Sequence, residues 1–129
     1  MKGVYKMLEA YSLNVTVAAN SSIPFNNVTV EKGSTAVLSS PATIQLNKCG
    51  VYMVSADVSS TTSSTIQLIK DDVSQPQAQS TGTSPSFTTL VQVDHSNSNC
   101  CCSSPTVIQV RSITGATYTD ANITVTKVC

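Results

Sequence analysis

Five cysteines and one histidine are the residues of this 129-residue chain whose chemistry is most reactive. Cys100, Cys101 and Cys102 are adjacent, and His95 precedes them. Zinc sites usually space their cysteines by about two to four residues, so that the thiolates converge on one ion. Adjacent residues in extended chain point alternately apart. One copy of the loop therefore cannot aim all three thiols at one metal, and no metal site is expected. The plain reading is a thiol cluster on a loop; disulfides within or between chains are the alternative. With five cysteines at least one thiol stays free if all pairing is internal. Asp94 and His95 lie among serines, but no nucleophile elbow and no second acid at informative spacing accompanies them. No catalytic residue, no enzymatic activity and no cofactor is expected. Asp71 and Asp72 could ligate calcium together with Asp94 or Asp120, although two aspartates between extended segments read more simply as a solvated turn.

The elements that would position these groups are strands. The organising stretch is 49–58. After the turn at 47–50, Val51, Met53, Ser55 and Asp57 alternate with Tyr52, Val54, Ala56 and Val58. Strict period two is the mark of a strand. The second set is wholly apolar and should face a core. The first set begins apolar and turns polar, so its early part is expected to be covered as well. Further strands are expected at 11–17, 23–30 with Pro24 marking a strand start or edge, 36–38, 43–46, 65–70, 87–93, 106–110 and 122–128. Residues 74–86, with two prolines and a glycine, read as the longest turn-like stretch, with room for a short strand at 77–79. Residues 94–105 read as a loop, and 114–120 as a turn. Short strands at this spacing indicate a sandwich or barrel.

Composition agrees. Only 11% of residues are charged and the net charge is zero. Such a balance gives no electrostatic footprint for nucleic acid or an anionic membrane. Valine and threonine suit pleated, half-buried surfaces. No apolar run approaches the ~18 residues of a membrane span. The first residues lack a long apolar core, so no signal peptide is expected, and synthesis in a cytoplasm is. The sequons at Asn14, Asn20, Asn27 and Asn122 are then chance matches in a chain rich in Asn, Ser and Thr. A weakly charged surface at zero net charge favours association. Residues 1–10, with Val4, Tyr5, Met7 and Leu8, are expected to form an arm that anchors a partner; residues 11–129 form one domain.

Four segments carry a resemblance. Ser22-Ile23-Pro24-Phe25-Asn26-Asn27-Val28, then Ala42-Thr43-Ile44-Gln45-Leu46-Asn47, then residues 49–58, then Ala121-Asn122-Ile123-Thr124-Val125-Thr126-Lys127-Val128 together resemble the jelly-roll superfamily of tumour necrosis factor and the complement globular heads. Within it, the bacterial and phage branch is the nearest in look: the heads of spore-surface collagen-like glycoproteins and phage head-fibre or decoration proteins. The resemblance implies an all-β, ten-strand antiparallel jelly-roll sandwich that assembles as a homotrimer. It also implies that the strand at Gly50-Val51-Tyr52 lies beside the C-terminal strand near the threefold axis. Val51, Tyr52, Met53, Val54, Val125 and Val128 are then the expected trimer contacts. If those two strands are antiparallel neighbours, Cys49 and Cys129 lie at matching ends and could form a disulfide. The chain departs from the pattern in having no collagen stalk and in its cysteine cluster.

Two functions of shape follow. One is a virion structural protein: a trimeric capsid decoration or head-fibre protein, made in a bacterial host cytoplasm and bound to a major capsid or other virion protein through residues 1–10. The other is a trimeric receptor- or glycan-binding head of a phage tail or bacterial surface adhesin, recognising host-surface glycan through the loops at 74–86 and 94–105. A bacterial cell or spore surface, with cross-linking through the cysteines, is the remaining location.

Overall fold

A computed structural model describes residues 7–33, 35–93 and 106–128. These residues form two packed antiparallel sheets. In chain order the strands are β1 (Met7–Val17), β2 (Ser21–Ser22), β3 (Asn27–Lys32), β4 (Ala36–Ser40), β5 (Thr43–Leu46), β6 (Gly50–Ser60), β7 (Ser64–Lys70), β8 (Val73–Gly82), β9 (Ser86–Val93), β10 (Thr106–Ser112) and β11 (Ala116–Lys127). The described residues thus hold eleven strands, five in one sheet and six in the other, where the resemblance implied ten. The first sheet, A, runs β3-β1-β11-β6-β9, and the second, B, runs β4-β5-β10-β7-β8, with β2 pairing β10.

The organising stretch behaves as its alternation requires. β6 lies in the interior of sheet A between β11 and β9, and Tyr52, Val54, Ala56 and Val58 are buried in the core. Sheet A adds Leu8, Ala10, Ile123 and Val125 to that core; sheet B adds Ile44, Leu46, Ile66, Leu68, Ile108 and Val110. Each set occupies alternate positions, so each strand buries one face and leaves the other outward. Burial of this continuous apolar layer is the principal source of stability.

Three polar contacts pin the sandwich. Tyr118 on β11 of sheet A places its Oη 2.6 Å from Ser112 Oγ and donates to Ser64 Oγ at 3.2 Å, both on sheet B. All three residues are fully buried, so these hydroxyls satisfy one another across the sheets. Ser12 is buried too. Its Oγ donates to the Pro24 carbonyl at 2.7 Å and accepts from the Asn26 amide at 2.8 Å, which fixes the crossing segment between β2 and β3. Tyr52 Oη donates to the Lys48 carbonyl at 2.6 Å and accepts from the Lys48 amide at 3.3 Å, locking the turn that opens β6.

The fold corrects four expectations. Residues 74–86 are not a long turn, because β8 spans Val73–Gly82. β8 is an edge strand, and its pairing to β7 jumps from Gln67↔Gln79 to Ile69↔Ser74. Pro76 falls within that jump, where its missing N–H interrupts no ladder bond. Residues 116–120 are not a turn either; they belong to β11, and only the positions between β10 and β11 reverse the chain. The clean alternation at 11–17 slips at Asn14, which has φ 53°. Ser12 and Val17 face inward and Leu13 is 60% exposed, since one left-handed residue exchanges the two faces. Finally, residues 7–10 are no arm. They open β1, paired to both β11 and β3, and Leu8 is fully buried. Val4 and Tyr5 lie outside the described residues, as do Asp94, His95, the three adjacent cysteines and Cys129.

Candidate assembly surface

Among the described residues, the outward face of sheet A carries large apolar side chains from β9, β6 and β1 in one row, with Thr126 of β11 between them. Register sets Leu90 opposite Met53, Met53 opposite Thr126 and Thr126 opposite Met7. Leu90 is 60% exposed and Met53 40% exposed; Met7 is half-buried. Beside this row Val51 pairs with Gln92, and the Val128 amide donates to the Val51 carbonyl at 2.8 Å. Val51 is half-buried, and Val128 is exposed. Toward the other end the face turns polar. Ser55 Oγ and Thr88 Oγ1 lie 3.1 Å apart, with Thr124 and Glu9 in the same row. Beyond them come Asp57, Asn122 and Tyr11. The surface thus has an apolar end near the start of β6 and an acidic, hydroxyl-rich end.

Of the six expected contact residues, Val51, Met53 and Val128 reach this surface. Tyr52, Val54 and Val125 do not: they are fully buried in the chain's own core, because period two sends alternate residues of β6 and β11 inward. Leu90 was missed by sequence reasoning. Its signal is Leu90-Val91, an apolar pair inside β9, which must place one apolar side chain on each face, as Val51–Val54 does. Met7 was assigned to partner anchoring and instead contributes to this row.

The other candidate groups do not converge. Among the described residues no cluster of His, Cys, Asp or Glu could hold a metal ion. The Asp71 carboxylate accepts the Val107 amide at 2.9 Å, while Asp71 and Asp72 adopt left-handed turn geometry. Their turn lies at the end of the sandwich where Lys70 Nζ reaches the Gln92 carbonyl. Asp120 pairs beside Ser59 on β6, whereas Gln92 pairs with Val51. Strand rise of about 3.3 Å per residue separates those ends by roughly 26 Å, so Asp120 cannot share an ion with Asp71. Cys49 is half-buried and disulfide-bonded; the four other cysteines lie outside the described residues. Burial raises the Tyr52 phenol above its ordinary value, opposed in part by the Lys48 backbone amide that donates to its oxygen.

No protein-family profile matches the sequence, and no curated protein matches it. Solved structures do. The globular domain of zebrafish complement 1qA protein superposes with a TM-score of 0.75 at 9% identity, covering 96% of this chain and 98% of that one. The PRD1 vertex protein P5 gives 0.67 at 16% identity, over 99% of this chain and 100% of that one. Murine APRIL at pH 8.0 gives 0.65 at 8% identity, over 95% and 100%. At these identities the likeness is one of fold alone: the chain shares with these structures an all-β jelly-roll sandwich.

Proposed function

We propose that this chain is a non-enzymatic structural head that assembles as a homotrimer through the outward face of sheet A. In this reading it serves at a virion surface as a capsid decoration or head-fibre protein, attached to a virion protein through the residues that precede β1. The observation that carries the assembly is the row Leu90, Met53 and Met7 beside Val51 and Val128. An exposed apolar patch spanning four strands is the usual mark of an interface, and a self-complementary set of copies about an axis would cover it. The virion assignment is supported by likeness to a vertex protein over the full length of both chains. With Leu8 taken up in the core, attachment falls to residues 1–6, including Val4 and Tyr5, rather than to 1–10. The Cys49 disulfide suits a protein that works outside a reducing cytoplasm, as a virion or cell-surface component does.

The test is native mass by light scattering, followed by titration onto virion particles lacking the protein. Three times the 13.5 kDa chain mass, unchanged by reductant, is expected. Saturable particle binding that is lost on removing residues 1–6 is expected as well. A monomer at all concentrations would overturn the assembly, and non-saturable binding would overturn the attachment.

A further inference from the structure

Arg111 is the only arginine in the sequence, and the fold sets it on the outward face of sheet B. It lies on β10 between inward-facing Val110 and Ser112. The same row holds Ser22 on β2, Gln67 on β7 and Gln79 on β8. Gln67 Nε2 donates to Gln79 Oε1 at 3.0 Å. Gln109, two positions before Arg111, accepts from Ser22 Oγ at 2.7 Å. Arg111 thus shares this face with three amides and a hydroxyl, and no acidic residue stands at the paired positions of the flanking strands. Arg111 Nε is buried and has no hydrogen-bond partner, although the residue as a whole is only half-buried. A desolvated donor without an acceptor is a standing cost to the free protein and calls for an explanation.

We propose that this row binds a carboxylate-bearing saccharide, with Arg111 taking the carboxylate and the flanking amides taking sugar hydroxyls. Nε is sealed from solvent, but the residue is half exposed, and the outer nitrogens of the guanidinium form a planar fork that matches a carboxylate. Amides and hydroxyls both donate and accept, as sugar hydroxyls do. A single cation cannot hold a polyanion that needs several phosphates neutralised. No aromatic ring lies in the row, so a neutral sugar finds no stacking platform, and charge is what selects the ligand. The site is on the sheet opposite the assembly surface, so it is open in a monomer and in the proposed trimer, and its failure would leave that assembly untouched.

The lone arginine gives a single Nε–H resonance, which reports on the site directly. The 15N-labelled protein is titrated with trigalacturonate, sialyllactose and a hyaluronan tetrasaccharide, with maltotriose as the neutral control. A saturable displacement of the Arg111 resonance by at least one acidic saccharide is expected, with a Kd near ~1 mM or tighter, and none by maltotriose. Arg111→Lys keeps the charge without the fork and should weaken binding about 10-fold, and Gln67→Ala about 3-fold; the backbone spectrum of each variant verifies its fold. No saturable displacement by any of the three acidic probes overturns the proposal. An equal response to maltotriose, or wild-type affinity in both variants, does so too.

Discussion

The Val128 amide donates to the Val51 carbonyl at 2.8 Å, one step beyond the last ladder pair, Lys127↔Tyr52. Each step along β11 toward the C-terminus is a step back along β6. Cys129 follows Val128 directly in the sequence, and Cys49 lies two residues before Val51. Cys49 is disulfide-bonded, and Cys129 is the partner we expect, ahead of the adjacent cysteines at 100–102. Peptide mapping without reductant should recover Cys49 linked to Cys129. The bond would close a loop of roughly 80 residues, worth about 4.5 kcal/mol on the chain-entropy account. Cys129→Ser should therefore lower stability by up to that amount, whereas serine at 100, 101 and 102 together should leave the Cys49 linkage intact. A Cys49 peptide linked to any of those three would refute the assignment.

Gly115 makes the turn between β10 and β11. Its φ is +77°, and a Cβ there would lie 2.7 Å from the Ala19 backbone nitrogen. Its amide donates to Ser112 Oγ at 3.0 Å, the hydroxyl that also meets Tyr118. Gly115→Ala should cost both left-handed strain and a backbone displacement, about 2–4 kcal/mol together. Guanidinium unfolding measures it, and a loss under about 0.5 kcal/mol would show that the turn relaxes freely.

These relationships separate what is legible in the sequence from what is not. Period two exposes a strand and its inward face, so β6 and its core residues could be read directly. β5 could be read to the residue, since Thr43 to Leu46 alternate between clear turn signals. β8 could not, because proline and glutamine carry turn-like propensity, and only its position at a sheet edge makes them acceptable. The slip at Asn14 was hidden for a related reason: one residue in a left-handed conformation exchanges the faces of Ser12 and Leu13, and composition carries no sign of it. At the assembly surface, an apolar residue on an outward face looks the same in sequence as one on an inward face. Val51 and Met53 could be separated from Tyr52 and Val54 by parity, yet which parity meets the core depends on both sheets. The Arg111 row draws on β2, β7, β8 and β10, whose pairing is long-range and leaves no local trace.

Tyr52 gives a pH dependence. Burial raises its phenol above the ordinary value of 10.0, the Lys48 amide that donates to its oxygen partly opposing this. Its folded-state value exceeds the unfolded one, so the folded state retains the proton more firmly. The associated stability is fully present below pH ~10 and is lost as pH rises through the folded value. Stability should be flat with respect to this group near neutrality and should fall in alkali. Tyr52→Phe should flatten that alkaline fall while costing about 1 kcal/mol at neutral pH through the lost Lys48 bond. An identical alkaline midpoint for both proteins would assign the fall to other groups.

The assembly surface makes the sharpest demand on single residues. Leu90 and Met53 face each other across β9 and β6, and both are exposed in the single chain, so replacing them disturbs little of the core. In the proposed trimer they are covered, and a charge placed there would be buried without a partner at a cost of several kcal/mol per site. Leu90→Lys and Met53→Lys should each shift the native mass to that of a monomer at micromolar concentration. Thr81, exposed on the edge strand of sheet B, supplies the control, and Thr81→Lys should leave the mass unchanged. The circular dichroism of all three variants should match the parent. If Leu90→Lys retains the parent mass while remaining folded, this face is not where the copies meet. If Thr81→Lys alone dissociates the assembly, the interface belongs to sheet B, and the saccharide row would then be covered by it.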